Sequence, residues 1–529
     1  MKSFDFCRAI LYHTVTITNG AAAPDKENAM FNPTEEQLSI LEAFRTGGDM
    51  VVEAGAGTGK STVIRMLAES DPNVRFQYCA FNKSVIVDAT ERMPGNTTCN
   101  TVHSLAFRSA GTPFARRLNS ARMPGRELAR RLGVTGLKIG EKWLSDAYLA
   151  SVATRGVVRF CQTADPEPAA HHIPYVDGID EPENGKRGMR HNRQLRAYLA
   201  PFMSRVWEDA INVNGELPYR HDFYVKLAQL RGMYIATDVV MVDEAQDISP
   251  VFASLVDQQR DHAQIVAVGD SNQSIYGSFT GAIDYLQQLD AQHRLMLSQS
   301  FRFGPAIAGL ANELLAHLPT ELRLRGLESI PSRIGTVDAP DACLYRTNAV
   351  AGGELIRLLE SGTSAHLVGG ANDVVSFARA AADLIDGRRT SHQELACFET
   401  WFEVQDYVKS DAMGDEIKLL VSLIDRFGPA AIISALERMP GEKVAKVVLS
   451  TCHKSKGREW PQIRLGGDFP DDLALMADEE IRLMYVGVTR ARLVLDPRLV
   501  GCLSAESMAA ARLSKASAIA AQVPLLVAA

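Results

Sequence analysis

The sequence predicts an α/β protein built on parallel sheets, and three observations carry that prediction. Short β-branched runs, Met50-Val51-Val52, Val239-Val240-Met241-Val242, Ile265-Val266-Ala267-Val268 and Lys446-Val447-Val448-Leu449, each lead into a polar or Gly-containing turn, the pattern of strands buried on both faces. A glycine-rich segment follows the first run and precedes a helix-compatible stretch, Val63-Ile64-Arg65-Met66-Leu67. Two long intervening regions, about 105–220 and 372–440, lack such runs and read as helical insertions.

Composition narrows the class. At 529 residues the chain is too long for one domain, and three or four lobes are expected. Apolar residues make 46% and charged residues 22%, near the globular average, which excludes a mostly disordered, collagen-like or membrane-embedded chain. Lys and Arg total 56 against 63 Asp and Glu, a net −7, so any nucleic-acid contact must come from local patches. The eight cysteines contain no C-x-x-C, which excludes a zinc ribbon, an iron–sulfur cluster or a secreted disulfide framework and points to a reducing cytoplasm. No apolar run is long enough to span a membrane. Residues 1–30 read as an N-terminal appendage, with Met30 a candidate start directly before the first organised segment.

In chain order, Thr34-Glu35-Glu36-Gln37 reads as a helix capping box. Ala54-Gly55-Ala56-Gly57-Thr58-Gly59-Lys60-Ser61-Thr62 is a phosphate cradle: small residues let backbone N–H groups close around phosphates at a helix N-terminus, Lys60 adds charge, and the Ser61 hydroxyl reaches Mg²⁺. Eight Lys and Arg, from Arg108 to Lys138, stand against Glu127 alone, and Lys186, Arg187, Arg190, Arg193 and Arg196 repeat the signal, so the first insertion is expected to present a basic, phosphate-tracking face. The acidic turn after the second run, Asp243-Glu244-Ala245-Gln246-Asp247, supplies Asp243 to hold the metal and Glu244 to orient the attacking water. Gly269-Asp270-Ser271-Asn272-Gln273 follows the third run and reads as a turn in which Gln273 can sense a γ-phosphate. Ile417, Leu420, Val421 and Ile424 form a packing stripe that Gly428 caps, and an Ala-rich tail follows residue 500.

Together with further blocks in order, these segments resemble the superfamily-one DNA helicases of the UvrD/Rep/PcrA type. Asn32 to Gln37 is similar to the Q motif, Ala54 to Thr62 to motif I, Ala80-Phe81-Asn82-Lys83-Ser84 to motif Ia and Thr101-Val102-His103-Ser104 to motif Ib. Asp243 to Asp247 matches motif II, Gly269 to Ala282 motif III, Gln299-Ser300-Phe301-Arg302-Phe303-Gly304 motif IV, Thr451 to Trp460 motif V and Glu479 to Arg492 motif VI. Motif Ia, His221 to Leu227 and motif IV look most like the F-box DNA helicase branch, although no F-box fits before residue 30, so a bacterial or phage member is expected.

The resemblance implies two RecA-like P-loop lobes with ATP and Mg²⁺ between them, each interrupted by a helical insertion, the second reduced. The first lobe is expected over 31–105 and 221–295, its insertion over 106–220, the second lobe over 296–371 and 441–500, its insertion over 372–440, and a tail over 501–529. It also implies Gln37 at the adenine edge, Phe301 stacked on the adenine, Glu459 at the ribose, Gln273, Arg302 and Arg490 around the γ-phosphate, and Ser61 with Asp243 on the metal. Asn82, Lys83, Thr101, His103, Phe279 and His453 are implied along the DNA strand. One departure is Thr280, where relatives carry an Arg, with one extra residue beside it. The implied activity is ATP-driven movement on single-stranded DNA, 3′ to 5′, with unwinding of tailed duplexes by a monomer. The alternatives are an ATP-switched nucleic-acid-binding accessory protein, a protein-stripping translocase, and more weakly an RNA helicase. Repair, recombination, replication and defence all employ such motors.

Overall fold

The computed structural model describes residues 32–80, 83–118, 123–180, 188–277, 281–369, 372–392, 394–396, 398–409, 415–473 and 475–503. The expected appendage and nearly all of the expected tail lie outside these residues, as do Asn82, Phe279 and Thr280.

Among the described residues fourteen strands follow in order: β1 Met50–Ala54, β2 Phe76–Ala80, β3 Thr97–Thr101, β4 Leu137–Ile139, β5 Lys142–Leu144, β6 Val239–Val242, β7 Gln264–Gly269, β8 His293–Leu297, β9 Arg333–Ile334, β10 Ala342–Tyr345, β11 Ala365–Leu367, β12 Val447–Thr451, β13 Trp460–Leu465 and β14 Ala491–Asp496. The four β-branched runs become β1, β6, β7 and β12. One parallel sheet has the order β3-β2-β6-β7-β1-β8, and a second has the order β11-β12-β10-β13-β14-β9. In the first, Met50 pairs with Val266 on one side and His293 on the other, so β1 is fully flanked. Buried β-branched side chains then line both faces, which is why these strands read as continuous apolar runs rather than alternating ones. Two α/β lobes of RecA type result.

Parallel order places the loops after β1, β6 and β7 along one edge of the first sheet, where crevices form at carboxyl ends of strands. The second lobe covers that edge: Ala56 and Ile275 of the first lobe belong to the same apolar cluster as Phe303, Met484 and Tyr485 of the second.

The insertions depart from expectation in two ways. The first is not helical throughout: β4 and β5 form an antiparallel hairpin, Ile139 opposite Lys142, closed by Gly140 in the left-handed region at φ +57° and Glu141. Nor does the whole basic run stand ready as the expected basic, phosphate-tracking face. Arg117 is buried, paired with Asp209 and donating to the carbonyls of Asn212 at 2.6 Å and Leu217 at 2.9 Å. Arg130 and Arg131 both hold Glu127, and Lys138 holds Glu141. Arg116 and Arg126 remain exposed, and Arg122 lies outside the described residues. The hairpin also reaches the second insertion, where Lys142 donates to Glu403 at 2.5 Å.

In the second insertion, Val421 and Ile424 are buried on the helix Asp415–Phe427, and Gly428 ends it at φ +74° with its N–H on the Ile424 carbonyl. No described helix is long and apolar enough to cross a membrane.

Candidate functional site

The cleft is built around the turn from β1 into the helix Lys60–Glu69. Gly57 and Gly59 hold φ of +73° and +85°, a region that side chains disfavour, and the turn delivers Lys60 and Ser61 to the first helical turn. A methyl at Gly57 would lie 2.6 Å from Arg302 Cβ and 2.7 Å from Ser300 Oγ, so only glycine admits the second lobe this close. The second lobe grips the turn directly: Ser300 Oγ donates to the Ala56 carbonyl at 2.9 Å, Phe301 N–H to the Gly57 carbonyl at 2.8 Å, and Ala56 N–H to the Tyr485 hydroxyl at 3.2 Å. Thr58 Oγ1 closes the turn on the Gly55 carbonyl at 2.8 Å, and Ala54 and Thr62 flank it.

Gln37 caps its helix as expected, its Oε1 accepting from Thr34 N–H at 3.0 Å and its own N–H donating to Thr34 Oγ1 at 3.2 Å. Its Nε2 faces Gly59, 3.6 Å from where a methyl would stand, so the cap sits against the cradle. Phe301 is 43% exposed at the cleft edge, an unusual setting for a large aromatic.

Asp243 and Glu244 follow β6. Asp243 is buried, and Tyr78 of β2 donates to its Oδ2 at 2.6 Å. Burial and then the Glu244 charge raise Asp243 above the usual Asp value. Desolvation works to raise Glu244 as well, but Lys60, Lys456 and the Gln246 amide outweigh it and bring the carboxyl down to about 2, so it stays ionised throughout the neutral range. Lys60 Nζ lies 3.9 Å from Glu244 Oε1, and Gln246 Nε2 donates to Oε2 at 2.6 Å. Glu244 is the only non-glycine residue with positive φ among the described residues, at +52°, a conformation that costs about 1–3 kcal/mol and persists where surrounding contacts impose it.

The turn after β7 joins the two lobes. Gln273 Nε2 donates to Asp270 Oδ2 at 2.7 Å, while Gln273 Oε1 accepts from Arg490 Nη2 of the second lobe at 3.0 Å. Arg490 is buried and also donates to the Val486 carbonyl at 3.0 Å and Thr489 Oγ1 at 3.2 Å. Burial and the neighbouring Arg302 lower its guanidinium to about 9, which leaves it charged at neutral pH. Tyr485 donates to Asp270 Oδ2 at 3.1 Å. Arg302 instead turns toward its own lobe, donating to Glu459 at 2.8 Å and to the Thr489 carbonyl at 3.1 Å, and Glu459 also lies 3.7 Å from Arg492. Glu459 thus stands beside Arg302 as an ion-pair partner.

Four residues without an expected role stand here. Lys456 reaches across the cleft to Asp247, lies 3.7 Å from Glu244 and donates to the Gln273 carbonyl at 3.0 Å. Tyr276 donates to the His453 carbonyl at 2.8 Å, with ring centroids 6.1 Å apart. Gln246 ties Glu244 to Asp270, whose N–H it accepts at 3.0 Å. Tyr78 anchors Asp243. A buried hydrogen bond to a charged group is worth about 1.5–3 kcal/mol. Tyr78→Phe is therefore expected to loosen Asp243 and to raise the Mg²⁺ concentration for half-maximal ATP turnover about tenfold; an unchanged Mg²⁺ titration would contradict that positioning role.

Of the expected strand-contacting residues, Lys83, Thr101, His103 and His453 lie within the described residues. Thr101 caps the helix Val102–Ala106 through Ser104 N–H at 3.1 Å. The His103 ring packs edge-on against Tyr224 at 6.0 Å, burial lowers its pKa, and its buried Nδ1 has no hydrogen-bond partner among the described residues. Lys83 opens the helix Lys83–Arg92.

Comparison with known proteins bears directly on this cleft. A family model described as "AAA domain" matches residues 37–279, and one described as "UvrD-like helicase C-terminal domain" matches residues 446–495. The chain is 28% identical over 521 residues to F-box DNA helicase protein 1 of Schizosaccharomyces pombe, covering 88% of this chain and 57% of that protein. It is 25% identical over 511 residues to F-box DNA helicase 1 of Gallus gallus, covering 87% and 48%. ATP-dependent DNA helicase UvrD2 of Mycobacterium tuberculosis is 26% identical over 330 residues, covering 48% of this chain and 46% of that protein. The chain spans about half the length of the curated relatives it matches. The first matched region ends just past Gln273 and the second runs from β12 to β14, so the two bracket the cleft from opposite lobes, and in both lobes the chain is similar to the UvrD-like superfamily-one helicases.

Proposed function

We propose that the protein is an ATP-driven translocase on single-stranded DNA that moves 3′ to 5′ and unwinds tailed duplexes. The observation that carries this reading is the contact across the cleft: Arg490 of one lobe bonded to Gln273 of the other, beside Lys60 and Glu244.

Glu244, kept ionised by Lys60 and Lys456, orients the attacking water and accepts its proton. Lys60 balances charge on the β and γ oxygens. Arg490 enters from the opposite lobe, where a guanidinium stabilises transition-state charge, so hydrolysis is tied to lobe closure. Arg302, released from Glu459 on closure, adds a second cation. The oxygen donors Asp243 and Ser61 suit a hard divalent cation, and Tyr78 fixes the direction of the Asp243 carboxylate. When bound there, Mg²⁺ would neutralise charge on the phosphate oxygens.

Tyr276, bonded to the His453 carbonyl, joins the turn after β7 to a residue expected along the strand, so a change in lobe spacing is transmitted there, and Thr101 and His103 of the first lobe contact the same strand. Strand displacement on 3′-tailed and 5′-tailed duplexes tests the reading. Unwinding of the 3′-tailed substrate alone is expected; unwinding of neither, with ATP turnover intact, would favour a switch or protein-stripping motor.

A further inference from the structure

Away from the nucleotide cleft, the loop after the helix Asp146–Gln162 gathers two imidazoles and a carboxylate around one point. His171 Nε2 lies 3.0 Å from Asp165 Oδ2, and His172 Nε2 lies 3.0 Å from the same oxygen. One ligand atom from each residue falls within 4.8 Å of the other two. Ligand atoms around a tetrahedral ion with bonds of about 2.0–2.1 Å are spaced about 3.3 Å apart, so each imidazole-to-carboxylate spacing lies within a few tenths of an ångström of that geometry, and the two imidazoles, no more than 4.8 Å apart, complete it by a small rotation of the exposed His171 ring.

The surroundings hold the set in place. His172 is buried, its ring edge-on to Phe160 at 5.3 Å, and its Nδ1 sits 2.9 Å from the Ala169 N–H and 3.1 Å from the Ala169 carbonyl. The same ring position thus serves both tautomers: Nδ1 accepts from the N–H when Nε2 carries the proton, or donates to the carbonyl when Nε2 is bare. The second arrangement is the one metal-ligating histidines adopt. Lys226 donates to the Thr163 carbonyl at 2.9 Å and so ties the start of this loop to the helix His221–Leu230. The solvent side is open: the His171 side chain is 65% exposed and that of Asp165 44%.

We propose that Asp165, His171 and His172 bind a divalent transition cation, with water completing the coordination. Two imidazole nitrogens and one carboxylate oxygen form a borderline donor set that suits Zn²⁺ and disfavours Mg²⁺ and Ca²⁺. The ion is a clasp: it closes the loop from Thr163 to His172 against the two long helices of the first insertion, and by binding the folded state it raises thermal stability. No cysteine takes part.

The test uses the full chain, stripped with chelator and free of nucleotide, titrated with Co²⁺. Visible absorption bands are expected to saturate at one Co²⁺ per chain and to be displaced by Zn²⁺, and Zn²⁺ is expected to raise the thermal midpoint. His171→Ala removes an exposed ring and leaves the buried one in place, and Asp165→Asn keeps the side-chain shape. Each is expected to weaken Co²⁺ binding by at least about tenfold, whereas His262→Ala, an exposed histidine elsewhere, leaves it unchanged. Absence of a one-to-one complex in the parent protein, or binding undiminished in either Asp165→Asn or His171→Ala, would overturn the assignment.

Discussion

Lys60→Ala and Glu244→Gln are each expected to abolish DNA-stimulated ATP hydrolysis while leaving single-strand binding largely intact. The two side chains stand 3.9 Å apart on the cradle and on the turn after β6, and neither is among the residues proposed to contact the strand. Glu244→Gln keeps the shape and the contact with Gln246 but removes the charge that orients water and takes its proton, a loss on the order of 10²–10⁴ in rate. Lys60→Ala removes fixed positive charge from a water-poor cleft, on the order of 10²–10³ or more. Steady-state ATP turnover with and without oligonucleotide, alongside a strand-binding titration, measures both. Turnover like that of the parent protein in both variants is incompatible with the assignment.

Arg490→Ala is expected to have the larger effect, on the order of 10³–10⁵ in turnover, because it removes the guanidinium that only the second lobe supplies. Arg490→Lys is not expected to restore activity. The planar fork meets Gln273 Oε1, the Val486 carbonyl and Thr489 Oγ1 together, and a single ammonium on a flexible stem cannot reproduce that geometry. Binding of a fluorescent ATP analogue is expected to persist, since the cradle belongs to the first lobe. Normal turnover in Arg490→Ala with unaltered folding would remove the link between lobe closure and hydrolysis.

The parts of the fold that were legible are those in which local chemistry and tertiary role agree. Strands β1, β6, β7 and β12 are buried on both faces along their middles, which favours the short, mainly β-branched apolar runs Met50-Val51-Val52, Val239 to Val242, Ile265 to Val268 and Val447-Val448-Leu449. Gly57 and Gly59 were legible because positive φ leaves almost no other choice, whereas an acidic turn after a strand is common, and Asp243 stood out only because the cradle with Lys60 calls for a distant carboxylate.

What escaped depends on contacts that sequence order hides. Tyr78 stands in Phe76-Gln77-Tyr78-Cys79-Ala80 and reads as one more core aromatic; only the pairing of β2 with β6 brings its hydroxyl to Asp243. Lys456 is one of two lysines in a short run, and nothing local says which crosses the cleft. The basic run of the first insertion was read by count, but Arg117 is buried because Asp209, far along the chain, closes on it. The β4–β5 hairpin did leave a signal, the alternating Leu137-Lys138-Ile139 followed by the turn-compatible Gly140-Glu141 and an aromatic-apolar Trp143-Leu144, which the charge pattern obscured. Asp165, His171 and His172 fit no cysteine-based spacing and became visible only through the fold of the loop.

The central claim, that closure of two lobes on one triphosphate advances a strand, is tested most directly by timing arrival at a dye on the 5′ end of single strands of increasing length after rapid mixing with ATP. A delay that grows in proportion to length, and disappears in Glu244→Gln, is the predicted result. A signal whose timing is independent of length while ATP is still consumed would contradict it.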